Sequence, residues 1–280
     1  MKKKFIILFA LLTLSISLLF FFISLKDIDI VTIFTVVEGG NYTFSLNNAT
    51  YKIPDLYVQK HEFTNKQLAE ILNWGLKQGY IEISKSEVYE TYQGRFLIYL
   101  LDEKYSGLTF SKGEFSVKKN FDNLPASYVS WYGALTIANF FSIINGFIPC
   151  YNLINGEMTP KGNGFRLPFS YEWEFCAKGG NKSKKFTYSG SNDLNEVGWY
   201  IKNSSKSPQV VMLKKPNELG LYDMSGNLYE WCFEMGISAG VYARGGAFDS
   251  NENQCLPVSF SEFEPLDCLI NVGFRLFRNK

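Results

Sequence analysis

Five cysteines, one histidine and a scatter of serines are the groups in this 280-residue chain that could carry nucleophilic or metal chemistry. The cysteines are Cys150, Cys176, Cys232, Cys255 and Cys268. No two stand at the C-x-x-C spacing of a structural zinc site, so zinc is not expected. Outside the cytoplasm they could pair, but an odd count leaves at least one thiol free. The single histidine, His61, lies just ahead of a helix cap and reads as a surface or strand-end residue. Non-haem iron held by several imidazoles cannot be built from one histidine. A Ser-His-Asp hydrolase would have to use His61 as its base, and no nucleophile elbow is expected.

The elements that must position these groups can be placed from local signals. Thr64-Asn65-Lys66-Gln67 is a capping box, in which the threonine hydroxyl and the glutamine amide satisfy free N–H groups. Leu68, Ile71, Leu72 and Leu76 follow at helical spacing, and Gly79 stops the helix. Ser130 is expected to cap a second helix through Leu135, Ala138, Phe141 and Ile144, ended by Asn145-Gly146. Ser170 is expected to open a third over 171–178, ended by Gly179-Gly180. Short strands are expected at 33–37, 56–59, 97–101, 115–118, 210–213 and 272–276. Few helices, short strands and long connections such as 180–208 indicate an α+β domain rich in irregular loops.

At the N-terminus three lysines precede an uncharged run over residues 5–25. At about 1.5 Å per residue, that length is sufficient to cross a bilayer core of roughly 30 Å. No small-x-small cleavage pattern follows, which favours an uncleaved signal anchor over a cleaved signal peptide. The lysines before the run place the remainder outside the cytoplasm, anchored to the cell envelope or exported. The reading therefore divides the chain into 1–30, a transmembrane or signal segment, and 31–280, a folded domain. A net charge of +1 with no basic block argues against a nucleic-acid partner, and 17% aromatic residues suit a compact domain.

Four sequence blocks then occur in a telling order. Residues 164–180 read Gly-Phe-Arg-Leu-Pro-Phe-Ser-Tyr-Glu-Trp-Glu-Phe-Cys-Ala-Lys-Gly-Gly, and 217–232 read Asn-Glu-Leu-Gly-Leu-Tyr-Asp-Met-Ser-Gly-Asn-Leu-Tyr-Glu-Trp-Cys. Ala243-Arg244-Gly245-Gly246-Ala247-Phe248 and Val272-Gly273-Phe274-Arg275-Leu276 follow. Weaker blocks lie at 37–44, 57–69 and 129–134. Together they resemble the formylglycine-generating, or sulfatase-modifying, enzyme family. The resemblance implies one domain with the sulfatase-modifying variant of the C-type lectin fold.

The family's activity, oxidation of a sulfatase cysteine to formylglycine, uses two cysteines five positions apart that hold Cu(I). Aligned on residues 244–248, the first falls at Ser250 and the second at Cys255. A serine hydroxyl is a hard, weak donor and does not replace a thiolate for Cu(I), so copper is not expected. The resemblance also implies calcium, held by the Asp223 and Glu230 side chains and the Gly226 and Leu228 carbonyls, with Asn195 in a second site. Arg244, Trp131 and Tyr229 fall near the family's substrate groove. The expected function is a calcium-stabilised module at the cell surface that binds a peptide, protein or carbohydrate, or an envelope protein with a vestigial groove. The alternative is an oxidoreductase acting on a cysteine of a partner such as a sulfatase, with Cys255 as its surviving site residue.

Overall fold

The computed structural model describes residues 30–280. The chain divides into two units, Met1–Ile33 and Phe34–Lys280. The described part of the first is a four-residue helix, α1 (Ile30–Ile33). The apolar run at 5–25 lies outside the described residues. Among those described, no helix is long and apolar enough to cross a membrane.

The second unit is built from short strands paired over long sequence distances. β1 (Phe34–Val37), β4 (Leu56–Gln59) and β16 (Phe277–Asn279) form an antiparallel sheet with β4 in the middle. β12 (Tyr229–Met235), β13 (Val241–Arg244) and β14 (Phe260–Phe263) pair antiparallel, and β15 (Val272–Gly273) joins β12 in parallel. A third sheet joins β5 (Ile81–Ser84), β6 (Glu87–Glu90) and β7 (Phe96–Leu100). Two-stranded pairs form from β2 (Gly40–Thr43) with β3 (Thr50–Ile53), β8 (Leu108–Ser111) with β9 (Glu114–Val117), and β10 (Tyr151–Asn152) with β11 (Glu157–Met158).

Four helices complete the unit: α2 (Asn65–Lys77), α3 (Trp131–Ile144), α4 (Ser170–Ala177) and α5 (Leu194–Val197). α2 begins where the capping box places it, with Thr64 Oγ1 accepting from Gln67 N and Gln67 Oε1 accepting from Thr64 N. α3 is capped by Ser130, whose hydroxyl accepts from Gly133 N at 2.9 Å. α4 packs on β12 and β13. Its Trp173, Phe175 and Cys176 enter a core shared with Val37, Leu56 and Val58 of the first sheet.

Three expectations need correction. Ser170 does not cap α4; it is the first helical residue, and the extended Phe169 before it is the cap. The turn is closed by carboxylates instead: Glu172 accepts from Phe169 N, and Glu234 of β12 accepts from Ser170 N. No strand forms at 210–213, because Met212 turns into the left-handed region at φ 66° and donates its N–H to Asp223. Of 272–276, only Val272 and Gly273 lie in a strand; Phe274 and Leu276 carbonyls then accept from Phe63 and Gln59 N–H.

Candidate functional site

The recurrent arginines and glutamates of the sequence blocks meet in three buried pairs. Arg166, bridged antiparallel to Phe277, binds Glu172 through two bonds of 2.7 and 2.8 Å, and also Asn279 of β16. Arg244 at the end of β13 binds Glu174 at 3.1 Å and Ser170 Oγ at 2.7 Å. Arg275 binds Glu230 of β12 through bonds of 2.7 and 2.5 Å. The Arg244 and Arg275 pairs tie α4 and β12 to distant segments, whereas the Arg166 pair is local and reaches a distant segment through Asn279. Burial opposes ionisation of Glu174, but hydrogen bonds from Ser45, Tyr42 and Lys178 outweigh it and hold its carboxyl below the ordinary value.

The Ser250 corner lies after the turn at 244–248. Gly245 and Gly246 both take positive φ, 97° and 74°, and a Cβ on Gly246 would lie 2.8 Å from Cys255 Sγ. The glycine therefore lets this turn fold down onto the thiol. Ser250 is 3% exposed; its Oγ accepts from Ala247 N at 2.9 Å and lies 3.3 Å from the Tyr229 hydroxyl. Asn251 then caps a 3-10 turn, Glu252–Cys255, which carries Cys255 inward. Cys255 is fully enclosed and packs with Leu194, Val197 and Tyr200, and burial pushes its thiol up to about 12. All five cysteines are free. Cu(I) would meet one protonated thiol and a hydroxyl already engaged by the backbone. These residues do not fit that ion.

A second cluster surrounds Arg275. Asp223, at φ 57°, accepts from Met212 N through Oδ2, while its buried Oδ1 has no partner. Glu230 spends both oxygens on Arg275 and the Trp173 indole N–H. Glu62 accepts from Asn227 Nδ2 at 2.9 Å and Leu228 N at 3.0 Å. Burial, reinforced by the charges of Asp223 and Glu230, pushes Glu62 well above the ordinary carboxylate range, and burial pushes Asp223 up to about 6. Glu62 was missed because nothing marks a carboxylate two residues before a helix cap as buried.

Asn195 belongs to another network, with Asp193, Tyr200 and Asn203. Among the described residues no three His, Cys, Asp or Glu side chains converge on an ion position. The cluster offers calcium one unpartnered carboxylate oxygen, whereas that ion takes six to eight oxygens.

The three residues expected near a groove are enclosed: Arg244 is 0%, Tyr229 4% and Trp131 5% exposed. Arg244 sits between the Phe44 and Phe260 rings, and the Trp131 indole donates to the Cys232 carbonyl. They shape the interior. His61 is also buried, with Nδ1–H donating to the Glu62 carbonyl, and burial lowers it to about 4. A G-x-S-x-G run does occur, at 236–240. It forms the loop joining β12 to β13, where Ser238 N donates to Glu262, and no helix follows as a nucleophile elbow requires. Beside the Cys255 turn an open depression of about 520 Å³ is lined by Asn251, Asn253, Gln254, Val258, Ser259 and Phe260.

Residues 30–280 match the family model of the sulfatase-modifying factor enzyme 1-like domain. The chain is similar to a chaperone protein LppX of Paenibacillus barcinonensis, 30% identical over 236 residues, covering 71% of this chain and 70% of that one. It is 27% identical over 146 residues to a formylglycine-generating enzyme of Streptomyces coelicolor, covering 40% of this chain and 46% of the enzyme. It spans 28% of the length of a serine/threonine-protein kinase pkn1 of Chlamydia pneumoniae. Among solved structures, CarF superposes with a TM-score of 0.67 at 24% identity, covering 88% of this chain and 98% of CarF. The match to the family model across 30–280 shows that this chain belongs to the sulfatase-modifying factor enzyme 1-like domain family.

Proposed function

We propose that this chain is a ligand-binding member of its family, acting outside the cytoplasm without copper-dependent formylglycine chemistry. The observation that carries the reading is Ser250. Its hydroxyl is tied to the Ala247 amide and the Tyr229 hydroxyl, and it stands where the family's copper site needs a thiolate. Cys255 does not compensate, because its thiol is enclosed and held protonated. What the chain offers instead is a fold held by three buried Arg–Glu pairs.

A polypeptide is the favoured ligand class, supported by the similarity to a chaperone protein. The amide-rich depression beside Cys255 offers neutral donors and acceptors at the surface, which suits a peptide backbone. The deciding experiment incubates the purified, copper-loaded full chain with a sulfatase-motif peptide. The expected result is no aldehyde product, by mass spectrometry, in the parent protein. Turnover of the peptide cysteine to formylglycine would overturn the reading.

A further inference from the structure

The sheet of β1, β4 and β16 has two unlike faces. One carries Val37, Leu56, Val58 and Phe277 into the core. The other carries Val36, Tyr57 and Arg278, which lie opposite one another on the three strands and so share a face. Val36 is 46% exposed. The Arg278 guanidinium lies over the Tyr57 ring at 4.6 Å and over the Phe147 ring at 4.4 Å. Phe147 belongs to the loop after α3, where Gly146, at φ 77°, turns the chain away from the helix. Asn163 Oδ1 accepts from Ile148 N at 2.9 Å and holds this loop with the Ile148 side chain 52% exposed.

The face is graded along its length. At the end where β1 begins, Phe34 and Phe147 both pack on Phe165, at 4.9 and 5.6 Å, and Ile148 follows them in the loop. Past the opposite end of the strands lie the exposed Glu38, Asp55 and Lys280, the last two paired at 3.6 Å. The apolar end is therefore the one at which the chain enters the sheet. Eight residues, 26–33, separate the uncharged run at 5–25 from Phe34. Even fully extended they reach no more than about 30 Å, so a bilayer holding that run is never further than this from the start of β1.

We propose that this face docks on the lipid bilayer surface, with Ile148 below the headgroups and Arg278 against lipid phosphate. An exposed aliphatic side chain beside aromatic rings, with an arginine stem laid across them, is the composition that settles at a membrane interface. The strand N–H and C=O groups of β4 are taken up by its two neighbours, so the face offers a peptide backbone little to pair with. The inference rests on reading residues 5–25 as an anchor, and it goes beyond the binding role proposed above, which formylglycine formation would overturn without touching this one.

The test places a bimane label at Ile148→Cys in the full chain and compares it with one at Leu213→Cys, whose parent side chain is 62% exposed on the 210–213 loop. Both are made in a Cys268→Ser background, which leaves only buried native thiols, and Tm checks that each variant folds. The chain is reconstituted into vesicles of equal parts phosphatidylcholine and phosphatidylglycerol that contain a headgroup-nitroxide lipid. The label at 148 is expected to be quenched roughly twofold or more over that at 213, as suits a side chain lying about 5–10 Å into the headgroup boundary. Equal or weaker quenching at 148, in chains that stay with the vesicles in alkaline carbonate, would overturn the docked face and leave the anchor standing. Release of the chain by carbonate would overturn the anchor and this proposal with it. Shielding of the 148 label from iodide as protein concentration rises in detergent would give the face to a second copy of the chain and likewise overturn the proposal.

Discussion

At the scale of single residues, the motif arginines act as internal counterions. Arg275 neutralises Glu230 inside a cluster that also holds Glu62 and Asp223. Removing one partner of a buried pair leaves the other charge unpaired, so Arg275→Met is expected to cost roughly 3–5 kcal/mol in urea unfolding. A loss within experimental error of zero would show that the pair does not hold the fold. Glu234 supplies a pH-dependent contribution: burial raises it from 4.5 to about 7. Between those values the folded chain holds a proton that the unfolded chain releases, so this group makes stability fall as pH rises through roughly 5 to 7. His61 acts oppositely, because burial lowers it from 6.5 to about 4 and the unfolded chain binds the proton first. The difference in Tm between Glu234→Gln and the parent isolates the first contribution. It should shift in the variant's favour as pH rises across that window; a difference independent of pH would count against it. The position of Ser250 was legible in the sequence once residues 244–248 were aligned. The enclosure of Arg244, Tyr229 and Trp131 was not, because it depends on α4, β12 and β14 converging from distant parts of the chain.

At the scale of elements, legibility followed the range of the interactions. α2 and α3 carry their start signals within four residues, and both begin where Thr64 and Ser130 place them. Thr64→Ala should cost about 1 kcal/mol, read from the urea midpoint at constant m value. α4 carries only half of such a signal, Glu172 accepting from Phe169 N, and the rest of its first turn is completed by Glu234 of β12, which is 64 residues away in sequence. The strand expected at 210–213 had the right side chains, but Asp223 captures Met212 N–H and turns the backbone. Gly133 shows how tightly one helix is seated: a Cβ would lie 2.1 Å from the Ile98 carbonyl oxygen of β7. Gly133→Ala should therefore destabilise by at least the roughly 1–3 kcal/mol typical of overpacked sites. Native-like stability in that variant would mean that α3 and β7 can separate freely.

At the scale of the whole molecule, the order of motifs along the chain pointed to the family, and the match of residues 30–280 to the family model bears that out. The state of the cysteines was open in the sequence, and the structure leaves all five as free thiols, four buried and Cys268 partly exposed. Reduction should accordingly leave Tm unchanged. Native alkylation should modify Cys268 at most, with all five labelled after unfolding, as counted by mass spectrometry; a mass deficit of bonded hydrogens in the unfolded, unreduced protein would contradict this. The sheet of β1, β4 and β16 also bears on how the chain is made. Synthesis delivers the middle strand, Leu56–Gln59, and its first neighbour early, whereas Phe277–Asn279 arrives more than two hundred residues later. Until then one flank of β4 stays open and Arg166 lacks Asn279, so the last strand works as a latch. Pairing at that separation is slow. The nascent chain therefore completes this sheet only at the end of its elongation.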